Sequence, residues 1–395
     1  VNPEKQLSDN SPRFGWVILL VAIFSMGVFT IAFQTVPVII PQLKEEFSIS
    51  TTEAGLLMTV STLPGIFLSL PSGWFFNRYH AKKAGLLASI IIAFSCALIF
   101  VSDSYLLMLL GRLIMGFGGN LMLITCLSMI SQWFGKGGLG KAMGVYIGSN
   151  TLITVATYSG LSLFVTTFNW RFSFFVCAIL AATSSVLFLL VVKNSKSLVM
   201  EVGVDSKKIF LNINIWKIGL ILLCIEVATN SFSIWVPTLY TTFSNMTLVE
   251  SSLLDSLSII PTIFLLPFFG YLSDKTGKRR LFLILGSVLM TSTFIGLSFS
   301  SHLTTMVIMS LAFFIGVTST MISPALNTMP REIFGYGKTG IGFGILGICG
   351  AVSGVLSSLL MGYLIDITDS LIVPLLSMAA FSAAAIAIAL TLKTK

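Results

Sequence analysis

The chain has 395 residues, of which 55% are hydrophobic and only 10% charged, with a net charge of +8. A soluble domain carries about a quarter charged residues, so this chain cannot cover a water-facing surface. The basic excess falls in short clusters between apolar runs, which argues against a nucleic-acid-binding face and for a polytopic helical membrane protein.

In chain order, apolar runs between polar breaks predict twelve helices: 14–40, 51–73, 83–101, 104–133, 140–166, 172–192, 213–240, 250–273, 280–299, 303–329, 338–366 and 370–392. Residues 17–33, 85–101, 172–192 and 374–392 contain no charge and approach or reach spanning length, about 20 residues. The first run is too long for a signal-peptide core and is read as the first span. Residues 193–212 form the longest polar stretch, at mid-chain. The expected organisation is therefore a six-helix half at 1–192, a cytoplasmic linker at 193–212 and a second six-helix half at 213–395.

The lysines and arginines set the expected direction. With the N-terminus inside, all of the 23 basic residues fall on the cytoplasmic side except Lys44 and Arg171, outside, and Arg112, within the fourth span. Both termini are then cytoplasmic, and the expected location is the cell membrane. The five cysteines, Cys96, Cys126, Cys177, Cys224 and Cys349, all lie inside expected spans at spacings that match no metal motif or disulfide framework. They are read as small packing residues.

A repeat joins the two halves. "GYLSDKTGKRR" at 270–280 aligns without a gap to "GWFFNRYHAKK" at 73–83. Gly270 matches Gly73, Asp274 matches Asn77, Lys275 matches Arg78, and Arg279 and Arg280 match Lys82 and Lys83. At the same offset Glu53 matches Glu250, Pro64 matches Pro261, and "GLGK" at 138–141 matches "GYGK" at 335–338. Parallel repeats of this kind are a known transporter architecture.

These residues resemble the major facilitator superfamily, whose loop signature after the second and eighth helices is roughly G-x-x-x-D-[RK]-x-G-x-[RK]-[RK]. Gly270, Asp274, Lys275, Gly277, Arg279 and Arg280 fit it fully; the first copy departs at Asn77 and His80. "GRLIMGFGGN" resembles the family's fourth-helix signature through Arg112 and Gly116. The resemblance implies an all-α fold of twelve transmembrane helices, in two parallel six-helix bundles related by a pseudo-two-fold axis. It implies that helices 1, 4, 7 and 10 line a central cavity and that the signature loops brace an inner gate. On that reading Asp274, Lys275, Arg279, Arg280, Asn77 and Arg78 are gating residues. Asp274 is expected near the start of the fifth helix, around Gly140, and Asn77 near the start of the eleventh, around Gly337. The Gly-Pro pair that drug–proton antiporters of the family carry in helix 5 is absent from "KAMGVYIGSNTLITVATYSG", which implies symport or facilitated uptake.

Ionisable groups at membrane depth are costly and mark function. Arg112 in the fourth span and Glu226 in the middle of the seventh stand out. Arg112 and Asn120, Thr30 and Gln34, Glu226 and Asn230, and Tyr146, Asn150, Thr154 and Tyr158 each share a helical face. Arg112, Asn120, Gln34, Asn150, Tyr146 and Asn230 are the expected substrate contacts, because the guanidinium fork suits a carboxylate or an inorganic oxyanion. Glu226 is the expected proton-coupling group. The competing reading is a static Arg–Glu pair with polar residues serving as interhelical glue. Asp255 and Asp366 are placed near the outer ends of their helices, within reach of water. Trp170, Trp235 and Tyr240 are expected as interfacial anchors, and Gly144 and Gly148 as sites of close helix packing.

The sequence thus reads as a secondary active transporter working by alternating access, with proton-coupled uptake of a small inorganic or organic anion preferred. The alternatives are an exporter of an amphipathic drug-like compound or metabolite, and a non-transporting membrane sensor or scaffold. The expected partners are the anionic substrate, protons and the lipid bilayer, for a monomer without nucleic acid. No cofactor, metal or catalytic residue is expected, and no nucleotide-binding loop occurs.

Overall fold

The computed structural model describes residues 12–68, 81–134, 138–193, 212–244, 246–334 and 339–392. Among them are twelve α-helices and no strand. They are α1 (Pro12–Phe47), α2 (Thr51–Leu68), α3 (Ala81–Phe100), α4 (Tyr105–Trp133), α5 (Leu139–Thr167), α6 (Trp170–Leu190), α7 (Ile213–Phe243), α8 (Leu248–Thr276), α9 (Arg279–Ser298), α10 (Thr305–Phe334), α11 (Thr339–Thr368) and α12 (Ile372–Leu390). A 3₁₀ turn, Ser300–His302, precedes α10. Asn77, Arg78, His80, Gly337 and nearly all of the expected linker lie outside the described residues.

Ten of the helices are long and apolar enough to cross a bilayer. The other two are α2 and α5. The described part of α2 is short and opens on the polar run Thr51–Thr52–Glu53, and α5 carries the polar stripe of Tyr146, Asn150, Thr154 and Tyr158. Prolines sit inside several helices, including Pro37, Pro64, Pro237, Pro261 and Pro267. In membrane helices these are tolerated because neighbouring groups satisfy the freed carbonyls.

The matched residues of the repeat now have physical reasons. Glu53 and Glu250 each close a capping box at a helix start. Ser50 Oγ accepts from Glu53 N at 3.1 Å, and Glu53 Oε2 accepts from Ser50 N at 2.7 Å. Thr247 Oγ1 accepts from Glu250 N at 3.2 Å, and Glu250 Oε2 accepts from Thr247 N at 2.9 Å. Gly277 ends α8 with φ of 64°, a left-handed conformation that glycine adopts without strain.

The chain forms two compact units. One takes the described residues within Val1–Val36, Leu63–Thr157 and Phe164–Val202; the other takes those within Pro37–Thr62, Tyr158–Leu163 and Gly203–Lys395. In the first unit α3 packs on α4 and α6; in the second, α9 packs on α10 and α12. A hydroxyl pair staples each: Ser89 to Ser184 at 3.0 Å, with Ser184 donating on to Ser25 of α1 at 2.6 Å, and Thr291 to Ser382 at 2.9 Å. Small polar residues of this kind replace the hydrophobic driving force that lipid removes.

Three expectations are corrected. Trp170, Trp235 and Tyr240 are buried, not interfacial; the Trp235 indole donates to the Ser357 carbonyl at 3.0 Å. An added Cβ at Gly144 or Gly148 would meet nothing within 4 Å, so neither mediates close packing among the described residues. Asp255 is completely buried rather than within reach of water.

Candidate functional site

In the first unit, Arg112 lies about two turns into α4. It is 0% exposed despite its charge. Its Nη1 lies 3.3 Å from Met115 Sδ and donates, at 3.5 Å, to the Ala32 carbonyl of α1. The Phe33 ring lies 5.0 Å from the guanidinium carbon, a cation–π contact. Two turns further along α4, Asn120 donates through Nδ2 to the Gly116 carbonyl at 2.9 Å. Its Oδ1 faces α2, where a Cβ on Gly65 would approach to 3.0 Å. The absent side chain at Gly65 is what leaves room for the amide.

The stripes on α1 and α5 meet. Thr30 Oγ1 donates to Asn150 Oδ1 at 2.8 Å, with the Met26 carbonyl a second acceptor at 3.0 Å. One turn before Asn150, Tyr146 is buried and its hydroxyl has no hydrogen-bond partner among the described residues. Gln34, one turn beyond Thr30, is half-buried. Five of the six expected substrate contacts therefore belong to one unit.

In the second unit, Glu226 of α7 accepts from Ser353 Oγ of α11 at 2.9 Å. Gly350 makes room for the carboxylate, since a Cβ there would lie 3.0 Å from Oε2. Asn230, the sixth expected contact, is half-buried on the next turn. Ser233, which shares the Glu226 face by spacing, donates to Asp255 at 2.5 Å instead.

The same unit contains a seam that sequence reasoning missed. Residues 51–62 of α2 run antiparallel to residues 354–366 of α11. Asp366 accepts from the Thr51 and Thr52 amides and the Thr52 hydroxyl; a Cβ on Gly362 would meet the Thr51 carbonyl at 2.8 Å. A Cβ on Gly55 would come 2.4 Å from the Ser358 carbonyl, and Thr59 and Ser358 share a hydrogen bond of 2.7 Å. Gly354 then meets Thr62. The Gly–Ser–Thr spacing on both helices of the seam was the available signal, but sequence alone does not say which helices such residues join.

The signature loop closes on its own surroundings. Arg279 pairs with Asp274 at 3.0 Å and also bonds Thr328 of α10. Arg280 bonds the Leu390 carbonyl of α12. Lys275 lies over the Tyr271 ring at 5.8 Å. Asp274 is 65% exposed, so its pair with Arg279 contributes little to stability.

Among the described residues, twelve helices, ten of spanning character, with a buried guanidinium and a buried carboxylate among them, define a multi-pass membrane protein. The family model of the Major Facilitator Superfamily matches residues 16–254 and 218–395, and the chain belongs to that family. The chain is similar to the probable nitrate/nitrite antiporter NarK1 of Thermus thermophilus, 26% identical over 63% of this chain and 59% of that protein. It therefore spans less than two thirds of that relative's length. It is also similar to the probable sulfoacetate transporter SauU of Cupriavidus necator, 22% identical over 85% of this chain and 83% of that protein. Among solved structures, a bacterial homologue of the human lysosomal transporter Spinster, in an inward-facing and occupied conformation, matches with a TM-score of 0.76. It covers 95% of this chain and 96% of that one at 14% identity, a likeness of fold alone.

Proposed function

We propose that this protein is a secondary active transporter for a small anion, and not an enzyme. The observation that carries the reading is Arg112, a guanidinium with no exposed surface on a helix of spanning character. A charge at that depth is expensive and is kept for use. Its planar fork fits nitrate, nitrite, a carboxylate or a sulfonate, and the relatives named above are described as carrying nitrate and nitrite or sulfoacetate. Asn120, Gln34, Asn150, Tyr146 and Asn230 supply the further polar contacts.

The mechanism proposed is alternating access in the cell membrane, with cytoplasmic termini and two six-helix halves in a monomer. The lysine bias assigns the seam of α2 and α11 to the outer side, where it acts as a closed gate latched by Asp366. The signature loops, with Asp274, Lys275, Arg279, Arg280, Asn77 and Arg78, serve the inner gate. Glu226 is the proton-coupling group, exchanging its bond to Ser353 for a proton. A second reading, anion exchange without protons, is favoured by the antiporter description of the Thermus relative.

The test is transport into proteoliposomes. Uptake of labelled nitrate or sulfoacetate should follow an imposed ΔpH and collapse with an uncoupler. Uptake that needs an internal anion and ignores ΔpH selects the exchange reading, and no uptake of any small anion rejects the proposal.

A further inference from the structure

Asp255 sits about two turns into α8 and has no exposed surface. Ser233 of α7 donates to its Oδ1 at 2.5 Å, and the Ser258 hydroxyl lies 3.4 Å from the same oxygen. Oδ2 is shut off from solvent and has no hydrogen-bond partner among the described residues. Two close helix contacts flank the site. On one side Gly316 of α10 lets the helices touch so closely that an added Cβ would lie 2.1 Å from the Ser258 carbonyl. On the other, the α5 segment Tyr158–Leu163 packs in the same unit, and its Ser159 shares a hydrogen bond of 2.8 Å with Ser256.

Nothing cationic in this unit faces the carboxyl group among the described residues. From α5 the titratable group facing it is the buried Tyr158 phenol. From α7 it meets the Ser233 hydroxyl; Glu226 is turned to Ser353, and Lys217 donates to the Thr391 carbonyl. α10, which packs along α8, has no titratable side chain from Thr305 to Pro330. The basic residues of α9, Arg279 and Arg280, are held by Asp274, Thr328 and Leu390. An ionised carboxylate sealed without a counter-ion costs several kcal/mol, and a bound proton removes that cost. The hydrogen bonding fits the neutral acid: Ser233 donates to Oδ1, the carbonyl oxygen, Ser258 gives its proton to the Asp255 main-chain carbonyl at 2.7 Å, and Oδ2, which receives no donor, is the oxygen that carries the proton.

We propose that Asp255 is a proton-binding site separate from Glu226, occupied while α5, α7, α8 and α10 are closed around it and emptied to water when the α5 segment withdraws. This rests on the transporter reading only for its use; occupancy by a proton is a property of the resting protein. Infrared spectroscopy of the purified full chain in nanodiscs at neutral pH tests it directly. The wild type should give a protonated-carboxyl C=O band that shifts when the protein is grown on carboxyl-labelled aspartate. Of the described aspartates Asp255 alone is buried, so the labelling assigns the band even if substitutions unfold the protein. The band should disappear in Asp255→Asn and persist in Glu226→Gln. No aspartate-dependent band in the wild type overturns the proposal. So does sodium raising the melting temperature of the wild type but not of Asp255→Asn, since a metal cation would then hold the place of the proton. Neither result depends on transport, so a failed uptake assay leaves this conclusion standing.

Discussion

Asp366 of α11 caps α2 through Thr52: its Oδ2 accepts from the Thr52 amide and from the Thr52 hydroxyl, each at 2.6 Å, while Oδ1 takes the Thr51 amide at 2.9 Å. A helix start leaves four amides without internal partners. Ser50 and Glu53 satisfy two of those in α2 between themselves, and Asp366 supplies the other two from a distant part of the chain. Breaking that contact leaves the Thr51 and Thr52 amides without their acceptor and costs the seam its charged end. Asp366→Ala should therefore favour the open seam by about 1–3 kcal/mol. Impermeant maleimide labelling of a cysteine placed at Thr62 should rise about tenfold, at 1.4 kcal/mol per tenfold. Unchanged labelling would remove Asp366 from the gate.

Arg112→Lys retains the charge but loses the fork. Anion affinity should fall at least about tenfold, because a point charge cannot make two parallel bonds to one oxyanion. The readout is the stabilisation of the purified protein by nitrate, which follows binding to the folded state. A Lys variant with wild-type affinity would assign Arg112 to packing on Phe33 and Ala32.

Glu226→Gln fixes the neutral form and keeps an acceptor for Ser353. Accumulation driven by ΔpH should be abolished while counterflow persists, since exchange does not cycle the proton. Retention of ΔpH-driven accumulation would move the coupling role to Asp255.

The Thr30–Asn150 bond joins two helices, but Thr30 has the Met26 carbonyl in reach. Asn150→Ala should therefore cost only about 0.6–1.7 kcal/mol of stability, the range for such bonds in membranes. Anion affinity should fall further than stability does. A double-mutant cycle with Thr30→Val separates the two effects.

Asp274→Asn tests the inner gate. The exposed pair with Arg279 predicts a melting temperature within about a degree or two of wild type, from a coupling of under ~1 kcal/mol. A marked loss of transport at that unchanged stability would tie the residue to gating. Equal transport would leave it a topology signal.

Much of the helical framework was legible in the chain, because hydropathy and lysine bias record position along a helix. Residues 280–299 and α9 nearly coincide, as do residues 338–366 and α11. Orientation around the helix axis was harder to read. Asp255 lies close to the end of its span in sequence, yet its carboxyl group faces Ser233 of α7 rather than water. Trp235 was assigned to an interface by depth, but its indole turns inward to Ser357. Thr30 and Asn150 lie on polar faces that helical spacing marks, and a hydrogen bond joins them. Asp366 and Thr52 carry no such mark, because their contact spans 314 residues of chain and leaves no periodic trace.

The glycines of the α2–α11 seam turn a methyl group into a lever on an equilibrium constant. Gly55 faces a backbone carbonyl at 2.4 Å from where a Cβ would stand, and Gly362 faces another at 2.8 Å. Backbone cannot rotate aside as a side chain can, so alanine at either position acts as a wedge that the closed form alone must accommodate. A ligand that binds only the closed form would then lose apparent affinity in proportion to the closed fraction, with every contact to it intact. A ligand of the open form would gain by the same route. Gly354, whose neighbour is the Thr62 side chain at 3.4 Å, should tolerate the same change with a far smaller shift. Three alanine variants along one helix pair would thus give a graded series of biases between the closed and open seam, without touching a single group proposed here to bind the anion or the proton.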